Sequence, residues 1–92
     1  MIELGRGPEG ITVPIPPTKR EQIIDGLIEL VRSGQLAPGD AIPSAAKLME
    51  QYVCSISPVR DAIRELKWRG LLVGAVGRAV YVNDPLPDWI ES

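Results

Sequence analysis

The sequence predicts a mainly α-helical domain with a small β-hairpin, an α+β arrangement of three helices followed by two short strands. Three observations carry that expectation. Apolar residues recur at intervals of three and four behind Thr18 and again behind Ser55, the pattern of helices with one buried face. The intervening Gln35-Leu36-Ala37-Pro38-Gly39-Asp40 is turn chemistry. Two β-prone runs, Leu71-Leu72-Val73 and Val80-Tyr81-Val82, flank the glycine-bearing stretch Gly74-Ala75-Val76-Gly77-Arg78.

Residues 1–17 hold three glycines and four prolines, so an extended arm is expected there, with Ile11-Thr12-Val13 able to add a short strand. Thr18-Lys19-Arg20-Glu21 reads as a capping box, in which the threonine oxygen accepts from the glutamate amide and the glutamate reaches back. Behind it Ile23, Ile24, Leu27, Ile28 and Val31 keep helical spacing, and Gly34 supplies a stop, so a first helix spans about residues 19–33. Pro38-Gly39 suits the centre of a type II turn, and Ala41-Ile42-Pro43 allows a short strand. Ser44 caps a second helix whose Ala45, Leu48, Met49 and Tyr52 share one side. Val53-Cys54 breaks it. Ser55 caps a third helix, with Pro58 tolerated in the first turn, Val59, Ala62, Ile63 and Leu66 buried, and Gly70 as its end.

The 92 residues suffice for one hydrophobic core, and 45% apolar with 24% charged residues is ordinary globular composition. One cysteine (Cys54) and no histidine exclude a disulfide framework within the chain, a structural zinc site and a histidine-based triad. No paired carboxylates or nucleophile–base arrangement appear, so no catalytic residue, metal or cofactor is expected and the chain does not read as an enzyme. The longest wholly apolar run is four residues, too short for a membrane span, and the start lacks a signal peptide's charged-then-apolar design. A cytoplasmic binding protein is expected.

Charge is unevenly distributed. Residues 44–82 carry Lys47, Arg60, Arg64, Lys67, Arg69 and Arg78 against Glu50, Asp61 and Glu65, a net of +3, whereas residues 1–43 and 83–92 are net acidic. A basic middle between acidic ends suits one surface that meets a polyanion.

Two helices joined by a tight turn, the second with a polar stripe, and then a hairpin form the winged helix-turn-helix plan. The sequence also resembles the GntR-type transcription regulators over about residues 19–83. Ser33-Gly34-Gln35-Leu36-Ala37-Pro38-Gly39-Asp40-Ala41-Ile42-Pro43-Ser44 is similar to the family's entry motif, and Leu48-Met49-Glu50-Gln51-Tyr52 to its second-helix motif. Val59-Arg60-Asp61-Ala62-Ile63-Arg64-Glu65-Leu66 is similar to its third-helix motif, and Arg69-Gly70-Leu71-Leu72 with Gly77-Arg78-Ala79-Val80-Tyr81-Val82 to its wing. The resemblance implies double-stranded DNA binding, with the third helix in the major groove and the wing at the minor groove. Three positions depart from the family pattern. Val53 replaces a glycine in the helix-two to helix-three turn, Ile56 an arginine after the Ser55 cap, and Ala46 an arginine found in many members. A β-branched residue disfavours positive φ, so a different turn geometry is expected at Val53. Family members normally carry a larger effector or oligomerisation domain after the wing. With only Asn83 to Ser92 following, a free-standing module is expected, of the kind found in small phage or plasmid regulators.

On the third helix the inward set Val59, Ile63 and Leu66 leaves Ser57, Arg60, Arg64 and Lys67 outward, in a continuous stripe. Arg60, early in the helix, is the expected base reader, because a guanidinium forks onto guanine O6 and N7; Arg64 and Lys67 suit phosphates. Ser44, Lys47 and Ser55, at the two helix starts, suit backbone phosphates, and both serines cap whether or not DNA is present. Arg78 at the hairpin tip is placed for the minor groove, with Gly77 permitting close approach. Tyr52 and Trp68 are expected at the core or its edge, and Cys54 as a small apolar residue of the turn. The domain map is therefore an arm (1–17), a winged helix-turn-helix domain (18–83) and an acidic, proline-rich tail (84–92). Tail residues Trp89 and Ile90 either pack back on the domain or contact a partner, since a two-fold operator calls for a homodimer. The expected function is a sequence-specific, repressor-like transcription regulator. The alternative is a winged-helix protein–protein interaction module with weak or lost DNA binding, motivated by Ile56 on the reading face and by the acidic ends.

Overall fold

Thr18 opens the first helix as expected. Its hydroxyl accepts from the Glu21 amide at 3.1 Å while the Glu21 carboxylate accepts from the Thr18 amide at 3.0 Å, which satisfies two donors that a helix start otherwise leaves unpaired. In the computed structural model, which describes residues 16–74 and 79–91, α1 runs Lys19–Arg32 and buries Ile23, Ile24, Leu27 and Val31. The arm up to residue 15, with Ile11-Thr12-Val13, lies outside the described residues, as does the hairpin tip. Gly34 ends α1 at φ +85°, a left-handed position that suits glycine.

The connection to the second helix is the expected type II turn: the Asp40 amide donates to the Ala37 carbonyl at 2.9 Å and Gly39 takes φ +90°. The Asp40 carboxylate accepts from the Ala37 amide at 2.8 Å and tightens it. α2 (Ala45–Tyr52) starts from Ser44, whose hydroxyl accepts from the Lys47 amide at 3.2 Å. α3 spans Ile56–Trp68 and buries Val59, Ala62, Ile63 and Leu66. It closes with the paired bonds Gly70 amide to Lys67 carbonyl (3.0 Å) and Leu71 amide to Leu66 carbonyl (2.9 Å), the Schellman pattern, with Gly70 at φ +84°.

Two expectations at the α2–α3 junction are corrected. Val53 adopts φ 53°, ψ 64°, so the turn keeps left-handed geometry and the valine accepts the strain. Ser55 occupies the cap position of α3 but its side chain makes no cap hydrogen bond. The reason is covalent. Thr18 and Ser44 each accept from the amide three residues on, and three residues after Ser55 stands Pro58, which has no N–H.

Strand β1 (Leu72–Gly74) pairs antiparallel with β2 (Val80–Val82) in the register Leu72 with Val82, Val73 with Tyr81, and Gly74 with Val80. Alternation turns Leu72, Val80 and Val82 inward and leaves Val73 and Tyr81 exposed. The short strand expected at 41–43 reduces to one bridge, Ala41 with Tyr81. Hydrogen bonds from the Gly39 amide to Val82 and the Ile42 amide to Val80 nevertheless seat this segment on the free edge of β2. The core joins the inward faces of all three helices to Ile42, Leu71, Leu72, Val80, Val82 and Ile90, with no buried polar residue among the described residues.

The tail closes the fold. Residues Asp88–Glu91 form a single 3-10 turn, and Ile90 is 2% exposed within the core. Trp89 donates its indole N–H to the Arg69 carbonyl at 2.9 Å. Ile90 thus packs back on the domain, covered by the chain's own helices, and Trp89 lies half-buried against Arg69.

Candidate nucleic-acid interface

Helical geometry decides what α3 shows to solvent. At 3.6 residues per turn, with Val59 set to zero, Lys67, Arg60, Arg64 and Ser57 fall at roughly 80°, 100°, 140° and 160°, one continuous sector away from the core. The structure bears this out: all four side chains are exposed. Arg60, Arg64 and Lys67, with the buried Ile63 at its floor, line one shallow groove along the helix. Three cations on about two turns of helix make this a locally positive ledge.

The ion pairs sort these cations by availability. Arg64 meets Asp61 at 3.3 Å, with side chains 75% and 49% exposed. An exposed pair of this kind is worth well under ~1 kcal/mol, so the guanidinium can exchange the carboxylate for a phosphate. Arg60 and Lys67 make no ion pair among the described residues. Arg69 is occupied elsewhere: its Nε donates to Glu65 at 2.9 Å and its guanidinium lies 5.9 Å from the centre of the Trp89 ring.

Ser44 and Lys47 lie exposed at the start of α2, where the Ser44 oxygen already accepts the Lys47 amide and keeps its own O–H to donate. Ser55 is exposed with its cap function unused, so its hydroxyl is uncommitted to the helix. Gly77 and Arg78 lie outside the described residues. The helix half of the expected ledge is therefore on view.

Ile56 is corrected. At roughly 60° on the same wheel it turns toward the core, and it is half-buried and packed against it, not displayed on the reading face. Trp68 is corrected in the opposite sense. It is 88% exposed and lines a second groove with Arg20, Asp61, Arg64 and Glu65. The signal was present in the sequence, since residue 68 lies about 180° from Val59; the expectation of large aromatics at the core edge overrode it. Tyr52 is half-buried as expected, its phenol pushed above the ordinary value of 10.0 by burial and then by the Asp25 carboxylate. Cys54 is half-buried against the core.

Among the described residues no group of His, Cys, Asp or Glu side chains could hold a metal ion, and no helix is long and apolar enough to cross a membrane. Three helices, a tight turn between the second and third, and an antiparallel two-stranded wing define a winged helix-turn-helix domain. Residues 19–82 match the bacterial regulatory proteins of the gntR family, and the chain belongs to that family. It is 35% identical over 63 residues to the mannosyl-D-glycerate transport/metabolism system repressor MngR of Escherichia coli, which covers 68% of this chain and 26% of that protein. It is 37% identical over 65 residues to the histidine utilization repressor of Klebsiella aerogenes, 71% of this chain and 27% of that protein. The chain thus spans about a quarter of the length of these curated relatives. Among solved structures, the AraR DNA-binding domain in complex with operator ORR3 superposes with TM-score 0.69 at 30% identity, covering 84% of this chain and 90% of that one. YtrA from Sulfolobus acidocaldarius, a GntR-family transcription factor, superposes with TM-score 0.65 at 31% identity, covering 73% of this chain and 70% of that one.

Proposed function

We propose that the chain is a sequence-specific, double-stranded DNA-binding transcription regulator, repressor-like, that occupies its operator as a homodimer. The observation that carries this reading is the exposed stripe Ser57, Arg60, Arg64 and Lys67 on the helix that follows the tight turn. In this reading α3 enters the major groove. Arg60 sits in its second turn and forks onto a guanine edge, while Arg64 and Lys67 neutralise phosphates further along. Ser44, Lys47 and Ser55 hold the flanking backbone, and Gly77 and Arg78 bring the wing to the minor groove. Support comes from the operator complex of AraR and from the repressors named among the relatives. The chain belongs to a family of bacterial regulatory proteins.

The alternative, a protein-interaction module that has abandoned DNA, loses its first motive, since Ile56 packs against the core. Selection of a duplex library with the full chain tests the preferred reading. A short motif should be enriched, and Arg60→Ala should relax one base position at a cost of ~1–3 kcal/mol. Lys67→Ala should weaken all duplexes alike and lower the slope of log affinity against log salt by ~0.9. Failure to enrich any motif, together with salt-insensitive retention, would sink it.

A further inference from the structure

The segment after the wing does more than cover the core. Its hydrogen bonds fall on the C-terminal ends of two helices. The Trp89 indole donates to the Arg69 carbonyl at 2.9 Å, and the Asn83 side-chain amide donates to the Gly70 carbonyl at 2.9 Å. The Asn83 backbone amide takes the Leu71 carbonyl at 2.8 Å. The carbonyls of Arg69, Gly70 and Leu71 thus find partners on this segment, and that of Arg69, the C-cap of α3, is one that a helix end otherwise leaves unpaired. From the other side, the Arg32 Nε at the end of α1 donates to the Ile90 carbonyl at 3.1 Å, and the Ile90 side chain fills the core. Arg69 is pinned three times: by Glu65, by the Trp89 ring and through its own carbonyl. On the helical wheel Arg69 lies at roughly 280°, about 160° from the middle of the basic stripe.

We infer that residues Asn83–Glu91 form a positioning strap that locks the C-terminal end of α3 to α1, so that duplex affinity depends on Trp89 although Trp89 touches no DNA. The inference rests on the DNA-binding reading above. The tight turn at Val53-Cys54 fixes only the start of α3. Its middle is held by Val59, Ala62 and Ile63 in the core, and its last turn, about 12 Å along the axis from Arg60 to Trp68, by the buried Leu66, the Schellman bonds and the strap. A forked arginine contact tolerates misplacement of only a few tenths of an ångström, so a helix free to pivot or fray at one end loses base contacts and Lys67 together. Residues 83–91 lie beyond the 19–82 span that matches the family.

The test uses the full chain and a duplex enriched from a random library by the wild type. In Trp89→Ala, at a temperature where circular dichroism shows it folded, the Kd should rise about tenfold or more while the slope against log salt stays at the wild-type value. Trp89→Phe keeps an aromatic face for Arg69 but loses the N–H and part of the ring area, so it should fall between. Amide exchange gives a second reading that needs no DNA. The amides of Arg69, Gly70 and Leu71 should exchange at least about tenfold faster in Trp89→Ala, with Leu48 in α2 unchanged. A folded Trp89→Ala that binds within about twofold of wild type overturns the strap, and so does a slope reduced by ~0.9, which signals a direct phosphate contact. Wild type that enriches no duplex overturns the DNA reading instead, and the exchange data then show whether the strap still holds α3.

Discussion

Among the described residues Val53 carries the sharpest conflict of side chain and backbone. It is a β-branched residue at φ 53°, and it is 80% exposed, so no burial offsets the strain. Left-handed backbone costs a non-glycine residue roughly 1–2 kcal/mol, of which the extra unfolded-state entropy of glycine recovers about half. Val53→Gly should therefore raise stability by ~0.5–1 kcal/mol in urea unfolding, with an unchanged denaturant slope; a loss of stability would show that the valine side chain has a partner. A second residue works in the reverse sense. Gly26 sits inside α1, where alanine would be worth ~1 kcal/mol more, yet a methyl there would run into the Tyr52 hydroxyl of α2. Gly26→Ala should destabilise the wild type by ~1–2 kcal/mol but stabilise a Tyr52→Phe background, a sign change that a double-mutant cycle reads directly.

At the scale of elements, the three helix starts have one sequence signature and two outcomes. Thr18 and Ser44 cap through an amide three residues on, so Thr18→Ala and Ser44→Ala should each cost ~1 kcal/mol in thermal or urea unfolding. Ser55→Ala should cost less than ~0.5 kcal/mol, because Pro58 removes the donor. Equal losses at all three positions would refute that account. The packing of α2 on α1 also titrates. Burial first, then Asp25, raises the Tyr52 phenol, so the folded state holds its proton more tightly than the unfolded chain does. That contribution is complete below pH ~10 and is lost as pH climbs through the raised value. The denaturation midpoint should fall as pH climbs above about 10 in wild type, and that fall should flatten in Tyr52→Phe. Much of this level was legible in the sequence. The capping box, the Pro38-Gly39 turn, the glycine stops and the 3-4 spacing of apolar residues are local signals, and α1, α2 and α3 follow them. The missing cap of α3 was also a local signal, Pro58 standing three places after Ser55, whereas the 41–43 segment depended on how β2 would receive it. The basic stripe was legible because it is a one-helix property, whereas Trp68 was misplaced by reasoning from residue type over residue angle.

For the whole molecule, the tail had no periodicity to read. Its place is set by contacts with the ends of α1 and α3 and by Ile90 in the core. The two tryptophans report on that arrangement. Trp68 is 88% exposed beside charged groups, whereas Trp89 is half-buried, with its N–H on a carbonyl and its face against Arg69. Indole emission should therefore divide in two: Trp89→Phe leaves a red-shifted emitter that acrylamide quenches readily, and Trp68→Phe leaves a bluer, better shielded one. On chemical unfolding the Trp68→Phe protein should red-shift in step with circular dichroism, because docking of Ile90 in the shared core makes the tail part of the same cooperative unit. A tail that merely rested on the surface would red-shift at lower denaturant, before the helices melt. Two separated transitions would therefore remove Ile90 from the core and, with it, the anchor that holds the end of α3.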